Sequence, residues 1–449
     1  MSEAITMSNL MNRPNILYIH SHDTGRHISP YGHAVETPNL QKLAEQGTLF
    51  RQTFCASPGC SPSRAALLTG QSAHSSGMLG LAHRGWKLHD YGQHIIHTLA
   101  NVGYNSALCG IQHIAPGPDA VKTIGYDHHI ETPSPRARDV APAAAKWLHN
   151  APDKPWFLSV GFVETHTLPS KDGSLFDCGL GDPRYVLPPA PLPDTPQTRQ
   201  DIADFAMSAR VLDDGIGEVL RALEESGQTE NTLVICTTDH GIPLPSMKCN
   251  LTDGGLGVML IICGPGGFEG GQVVDALISQ IDIFPTLCEL LEIRCPDWLQ
   301  GRSFLPIIRG ESAEINDVIF GEVTHHAAYE PMRAARTKRW KYIRRYGDRK
   351  ALVLPNCDDS RSKDLWVEGD WRARKREPEQ LFDLIFDPGE RQNLAHDADY
   401  AEPLHEMRAR LDDWMQRTDD PLLRGAVPVP AGTMDKDPDD LSPKRAGRT

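Results

Sequence analysis

No uninterrupted apolar run in this chain approaches the roughly twenty residues that a membrane-spanning helix needs. A bilayer partner is therefore not expected. The first residues, Met1 to Arg13, lack the basic-then-apolar pattern of a secretory leader, so the expected location is cytoplasmic. Cysteine lacks organisation: ten are scattered over 449 residues without one Cys-x-x-Cys pair. That distribution excludes a dense disulfide scaffold and suits a reducing compartment. Positive charge is in deficit, with 45 Lys and Arg against 59 Asp and Glu and a net charge of −14, so nucleic acid is not an expected partner. No segment repeats internally.

What is present fits an enzyme. The 449 residues exceed what one core usually supports, and 40% are hydrophobic, enough for a large domain and a smaller one. Short apolar runs alternate with helical patterns, the signature of an α/β sheet covered by helices. Asn15-Ile16-Leu17-Tyr18-Ile19 reads as a buried strand ending in His20-Ser21-His22-Asp23. Ser106 to Cys109 ends near His113, Trp156 to Val160 ends near His166, and Thr232 to Cys236 runs into Asp239-His240-Gly241. Sites in open α/β sheets form outside the carboxyl ends of strands, so these four endings are expected to share one cleft. Between the third and fourth strands, Ile202, Phe205, Ala209, Leu212, Ile216, Val219 and Leu223 recur at helical spacing and predict a long packing helix.

Gln280 to Leu291 is a further expected helix. Beyond it, Ile319 to Val323, Met332 to Thr337 and Trp340 to Arg345 read as strands of a small antiparallel sheet, with Leu381 to Leu384 and a helix from Pro403 to Arg417 following. The expected division is a large domain over 13–310, a smaller one over 311–423 and a tail over 424–449. Arg424 to Thr449, rich in Pro, Gly, Asp and Lys, is either disordered or a surface strap.

The most informative run is Cys60-Ser61-Pro62-Ser63-Arg64-Ala65-Ala66-Leu67-Leu68-Thr69-Gly70. Ser61 can cap a helix, Pro62 suits its first position, and Ala65 to Leu68 are strong helix formers. Cys60 is thereby placed at a helix start, where free N–H groups and the positive end of the helix dipole favour a sulfate or phosphate ester.

This run resembles the sulfatase signature, Cys-x-Pro-x-Arg followed by Thr-Gly. Asp239-x-Gly241, Gln280 to Thr286, Arg336-x-Lys338-x-Trp340-Lys341-Tyr342 and Leu381 to Leu384 extend the resemblance over nearly the whole chain. Gly77-Met78-x-Gly80-Leu81, Ile242-Pro243-x-Pro245-Ser246 and Phe320-Gly321 with His325-His326 make it closest to the heparan N-sulfatase branch. The resemblance implies an alkaline-phosphatase-like mixed sheet with a C-terminal antiparallel sheet and helix. It also implies an enzyme acting on a sulfate ester or sulfamate of a small saccharide, one divalent metal, and Cys60 oxidised to formylglycine by a formylglycine-generating enzyme. A homo-oligomer is compatible with it.

By position in the family pattern, Arg64 would stabilise the oxygen of the hydrated formylglycine, His113 would handle its proton, and His166 would contact sulfate or protonate the leaving group. Lys248, His325 and His326 would bind substrate. Two departures stand out. The family's Asp-Asp and Asp-Asn metal pairs, which suit Ca²⁺, are here His22-Asp23 and Asp239-His240, a set that favours Mn²⁺ or Zn²⁺. The Asp-His pair also resembles phosphonate monoester hydrolases, which leaves a phosphonate monoester or phosphodiester substrate as an alternative. Second, Gly110-Ile111-Gln112-His113 puts isoleucine where the family has a lysine, so Gln112 or another residue must supply that donor, or the chain is a non-catalytic carbohydrate-binding relative. Intact Cys60, Pro62 and Arg64 argue against the last reading.

Overall fold

Ile16, Leu17, Tyr18 and Ile19 are apolar on both faces of one strand, a pattern stable only where helices cover both sides of the sheet. The computed structural model, which describes residues 13–444, has this arrangement. Its strands are β1 (Asn15–Ser21), β2 (Thr48–Phe50), β3 (Thr53–Phe54), β4 (Asn105–Gly110), β5 (His128–Ile130), β6 (Trp156–Gly161), β7 (Thr232–Thr238), β8 (Leu260–Cys263), β9 (Gln272–Val274), β10 (Ile278–Ser279), β11 (Ile319–His325), β12 (Tyr329–Arg336), β13 (Trp340–Arg345) and β14 (Glu379–Asp383). Eight form the central sheet in the order β5-β4-β6-β1-β7-β8-β2-β9. The segment β5 to β7 is parallel, and β8 runs antiparallel to both β7 and β2, so the sheet is mixed.

Alternation along each strand divides the interior in two. Ile16, Tyr18, Leu108, Phe157, Leu233 and Ile235 enter one core, which also takes Ala65, Leu67 and Leu68 of the helix Cys60–Thr69. Leu17, Ile19, Cys109, Leu158, Val160, Val234 and Cys236 enter the other, covered by Leu212, Ile216, Val219 and Leu223 of the helix Pro196–Glu225. Thr195 caps that helix, accepting from the Thr198 N–H while the Thr198 hydroxyl accepts from Thr195. Among the described residues no helix is long and apolar enough to cross a membrane, and all ten cysteines are free thiols.

The second sheet, β11-β12-β13-β14, is antiparallel throughout. One face packs Val323, Met332, Ala334, Ile343 and Phe382 against Phe54, Leu251 and Leu256 of the large part. The other receives Leu404, Met407, Leu411 and Met415 of the helix Ala401–Arg417. Arg333 lies fully buried within it, its Nε 2.5 Å from Asp420 and its Nη2 3.4 Å from Glu322, which in turn accepts from His74 Nδ1 at 3.0 Å. The tail takes the strap form over residues 424–444: Met434 N–H donates to Arg84 O at 3.2 Å, Lys436 N–H to Ala327 O at 2.8 Å, and Ser442 Oγ to Asp359 at 2.5 Å. Residues 1–12, within the stretch that lacks a leader pattern, and 445–449, the end of the expected tail, lie outside the described residues.

Candidate active site

The parallel register aligns Cys109, Val160, Ile19 and Cys236 across β4, β6, β1 and β7, so their carboxyl ends open at one edge, as the sequence suggested. Past those ends the backbone turns sharply. Asp23 and His113 hold φ of 53° and 61°, and Ser246 and Cys249 on either side of Lys248 hold 62° and 60°. Side-chain-bearing residues occupy this left-handed region at a cost, which tertiary contacts must offset.

Cys60 is the first residue of its helix, but the cap is Gly59, not Ser61. Ser61 is drawn away because its hydroxyl accepts from the Ala82 N–H at 3.0 Å, and Pro62 consequently sits in the third position, where a missing N–H is still harmless. Gly70 ends the helix at φ 66°; a Cβ there would come within 2.5 Å of Leu299. Cys60 Sγ is buried, 3.3 Å from His240 Nε2 and 3.9 Å from Asp23 Oδ1. Burial pushes its thiol pKa well up, against the pull of Lys248.

Around the thiol lie the four residues read as metal ligands. His240 Nδ1 is 3.0 Å from Gly241 O, which can only accept, so Nδ1 is the donor there, while Nε2 faces Cys60 Sγ at 3.3 Å and Asp23 Oδ1 at 3.2 Å. Asp239 Oδ1 accepts from the Asp23 N–H at 2.8 Å, and its Oδ2 lies 3.1 Å from His22 Nδ1. Burial opposes ionisation of Asp239, but His240, Arg64 and His22 outweigh it and hold the carboxyl well below its usual range. His22 is fully buried, neither ring nitrogen has a well-formed hydrogen bond, and burial with Arg64 nearby keeps its pKa well below normal. A neutral imidazole with unsatisfied nitrogens beside ionised carboxylates fits a divalent cation. Ligand-type atoms of His22, Asp23, Cys60 and Asp239 all lie within 4.8 Å of one another.

Arg64 is committed to the floor of the site: it donates to Ser21 O at 2.8 Å and Asp239 Oδ2 at 3.0 Å, and meets His20 Nδ1. Lys248 Nζ bridges Asp23 Oδ2 and Asp358 Oδ2, both at 2.9 Å. Burial opposes its charge, but the two carboxylates prevail and raise its pKa well above normal. Asp358 was not legible beforehand. Its partners Lys248 and Thr167 are 110 and 191 residues away, and only an acidic pair, Asp358-Asp359, marks it in the sequence. It forms a further group of ligand-type atoms with Asp23 and His166.

The histidines divide. The His22 ring centre lies 5.5 Å from that of His166 and 5.6 Å from that of His113, so both reach the cluster. His326 is buried there too; burial, Lys248 and His240 depress its pKa while Asp358 opposes them. His325, the last residue of β11, does not join them, because the chain bends at His326 and turns the two rings apart. It packs on Trp86 and Tyr329, and its Nδ1 is 3.0 Å from Asp435 of the strap. Gln112 is also unavailable: its amide donates to Ala115 O and its carbonyl accepts from the Ile114 and Ala115 N–H groups. His83, which no sequence signal singled out, lies against His113. Its ring stacks parallel on His113 with Nδ1 3.1 Å from His113 Nε2, and His166 and Lys248 both act on its charge.

Strand-end histidines and aspartates around a helix-start cysteine, in a mixed sheet with an antiparallel C-terminal sheet, define an alkaline-phosphatase-like hydrolase. Comparison with known proteins makes the class specific. Residues 14–293 match the Sulfatase family, and residues 248–361 match the family described as N-sulphoglucosamine sulphohydrolase, C-terminal. The chain belongs to the sulfatase family, enzymes that hydrolyse sulfuric esters or sulfamates. It is 30% identical over 463 residues to N-sulphoglucosamine sulphohydrolase of Homo sapiens, spanning 91% of each chain. A solved 2-O GAG sulfatase superposes with a TM-score of 0.71 at 22% identity, covering 96% of this chain and 98% of that one. The phosphonate monoester hydrolase of Agrobacterium radiobacter superposes at 0.68 with 21% identity, covering 90% and 96%.

Proposed function

We propose that this enzyme removes sulfate from a sugar sulfate ester or sulfamate, with an N-sulfoglucosamine-like saccharide as substrate class, through formylglycine at position 60. The observation that carries the reading is the buried Cys60 between the helix start and the His240–Asp23 pair, with Lys248 held ionised beside Asp23. Similarity to the human sulphohydrolase supports the sugar class.

Hydrated formylglycine offers two hydroxyls on one carbon. The first would give its proton to the Asp23 carboxylate that faces position 60 and attack sulfur, forming the S–O bond as the ester oxygen or amine nitrogen leaves with its electron pair. His166, close to His22 and Asp358, would give the leaving group its proton. The second hydroxyl then loses its proton to His113; the carbon–oxygen double bond re-forms and sulfate is expelled, so water never attacks sulfur. Lys248 and His83 supply donors to sulfate oxygens, His83 replacing the lysine absent at 111. Arg64 positions Asp239 and the end of β1. His22, Asp23, Asp239 and His240 would hold one divalent cation, whose charge polarises the sulfate.

A second reading, phosphonate monoester hydrolysis at the same site, is favoured by Asp239-His240 and has a structural counterpart in the Agrobacterium enzyme's fold. Rates on N-sulfoglucosamine, an aryl sulfate and an aryl phosphonate separate the two. Sulfate and sulfamate should turn over faster; a faster phosphonate would reverse the assignment. Mass spectrometry of the Cys60 peptide should show a loss of about 18 Da relative to the thiol, as thiol-to-aldehyde conversion requires. Cys60→Ala should fold normally and lose turnover.

A further inference from the structure

Behind the loop that carries Lys248 lies a separate cavity of about 290 Å³, walled by Ser246 and Asn250 on one side and by Arg345, Lys375, Arg376 and Trp371 on the other. Its charge is unbalanced. Among the described residues, Arg345 bonds only a neutral partner through its side chain, the Gln380 carbonyl, and its Nε is buried without a partner. The side chain of Arg376 is only 6% exposed; its Nη2 lies 2.8 Å from Glu330, and its Nε has no partner. Glu330 is shared, since its other oxygen accepts from Asn356 at 2.8 Å. The carboxylates that line the cavity are committed elsewhere, Glu377 to His396 at 3.2 Å and Glu390 to Lys341 at 3.2 Å. Burial, with Arg376 alongside, lowers the Arg345 pKa to about 10, although Glu330 pulls the other way.

Two buried guanidinium groups that share the single carboxylate of Glu330 leave one positive charge uncompensated, which is costly unless an anion joins them, and their fork geometry matches planar or tetrahedral oxyanions. An aromatic face, Trp371, and the amide and hydroxyl of Asn250 and Ser246 add the surfaces by which a sugar ring is held. We propose that the Arg345–Arg376 cavity is a second anion site, distinct from the one at Cys60, that takes the sulfate or carboxylate group of an acidic sugar. The sugar rests on the function proposed above; the anion site rests on the two arginines and on Lys375, which lines the cavity with them.

The test is thermal unfolding of the intact protein in sodium sulfate against sodium chloride at matched ionic strength, in wild type and Arg345→Gln. Without sulfate the variant should melt higher than wild type, because a repulsive charge is gone. The extra stabilisation by sulfate should fall at least twofold, while kcat on a small aryl sulfate stays within twofold. Equal sulfate responses in the two proteins would overturn the site. If Arg345→Gln does not fold, Lys375→Gln, changed at an exposed position, is held to the same criterion. Glucuronate identifies the source: a shift lost in the variant supports an acidic sugar, and a response to sulfate alone overturns the sugar while leaving an inorganic anion site. A protein inactive on every sulfate ester but still showing the variant-sensitive shift would fail the proposed function and not this inference.

Discussion

Isoleucine at 111 cannot donate to an anion, and the donor proposed in its place is a residue 28 positions earlier, His83, which lies 3.1 Å from His113. If His83 bonds a sulfate oxygen, His83→Ala removes one charge-assisted hydrogen bond, worth about 1.5–3 kcal/mol, or roughly 10- to 100-fold in kcat/KM. His83→Lys should recover most of it. Steady-state kinetics on an aryl sulfate decide this, and a loss under twofold in His83→Ala would remove His83 from the site. The metal shell gives a second residue-scale prediction. With two imidazoles beside two carboxylates the enzyme should retain Mn²⁺ or Zn²⁺ over Ca²⁺, and His240→Asn should shift the preference toward Ca²⁺. Elemental analysis after dialysis against mixed metals checks both; stoichiometric Ca²⁺ in wild type, unchanged in the variant, would mean the histidines do not set the metal.

At the scale of elements, β11 and β12 are joined to the rest of the protein by a buried ionic chain, His74–Glu322–Arg333–Asp420. Arg333→Met leaves Glu322 and Asp420 buried with one cation fewer between them, a change that costs about 3–5 kcal/mol where buried ion pairs are broken from one side. Urea unfolding should show the midpoint falling accordingly; a loss below 1 kcal/mol would mean that packing alone holds the sheet. The Cys60 helix shows how far an element is readable. Its range and its end at Gly70 follow from helix formers and a left-handed glycine. Its cap does not, because Ser61 serves a distant N–H at Ala82 and local capping preference loses to a tertiary hydrogen bond.

For the whole molecule, burial of neutral imidazoles dominates the response to acid. His27 and His94 are lowered to about 3 by burial, and His20, His22, His113 and His326 are held well below their ordinary value for the same leading reason. In the unfolded chain these groups take protons near pH 6.5, whereas the folded state resists them, so their contribution is complete above about pH 6.5 and is lost as pH falls toward 3. Glu164, Asp201 and Asp213, raised by burial, with Asp282, raised to about 6, and Glu390, raised to about 7, act in the opposite sense. The six histidines are joined, however, by Asp239, Asp253, Glu322 and Asp358, whose carboxyls nearby cations hold below their usual range and whose contribution is also lost as pH falls. Urea midpoints should therefore decline steadily between pH 7 and pH 4.5. A flat profile would show that the histidines are protonated within the fold.

The sequence by itself determined β1, β4, β6 and β7 and the strands of the second sheet, but not the short β2, β3, β5, β8, β9 and β10. It also determined the helix at Cys60 and the ends from which Asp23, His166 and Asp239 emerge, because longer apolar runs, helix formers and polar strand endings are local signals. Sharing of one cleft followed from parallel order, which strand-and-helix alternation implies. Tertiary structure alone decided which polar groups meet. Lys248 is fixed by Asp358 from a distant segment, Gln112 is consumed by its own loop, and His325 is turned to the strap while His326 reaches the site. Hydrogen bonds and ion pairs between remote segments depend on distances of a few tenths of an ångström, set by how two cores and a second sheet pack, and no local pattern in the chain encodes them.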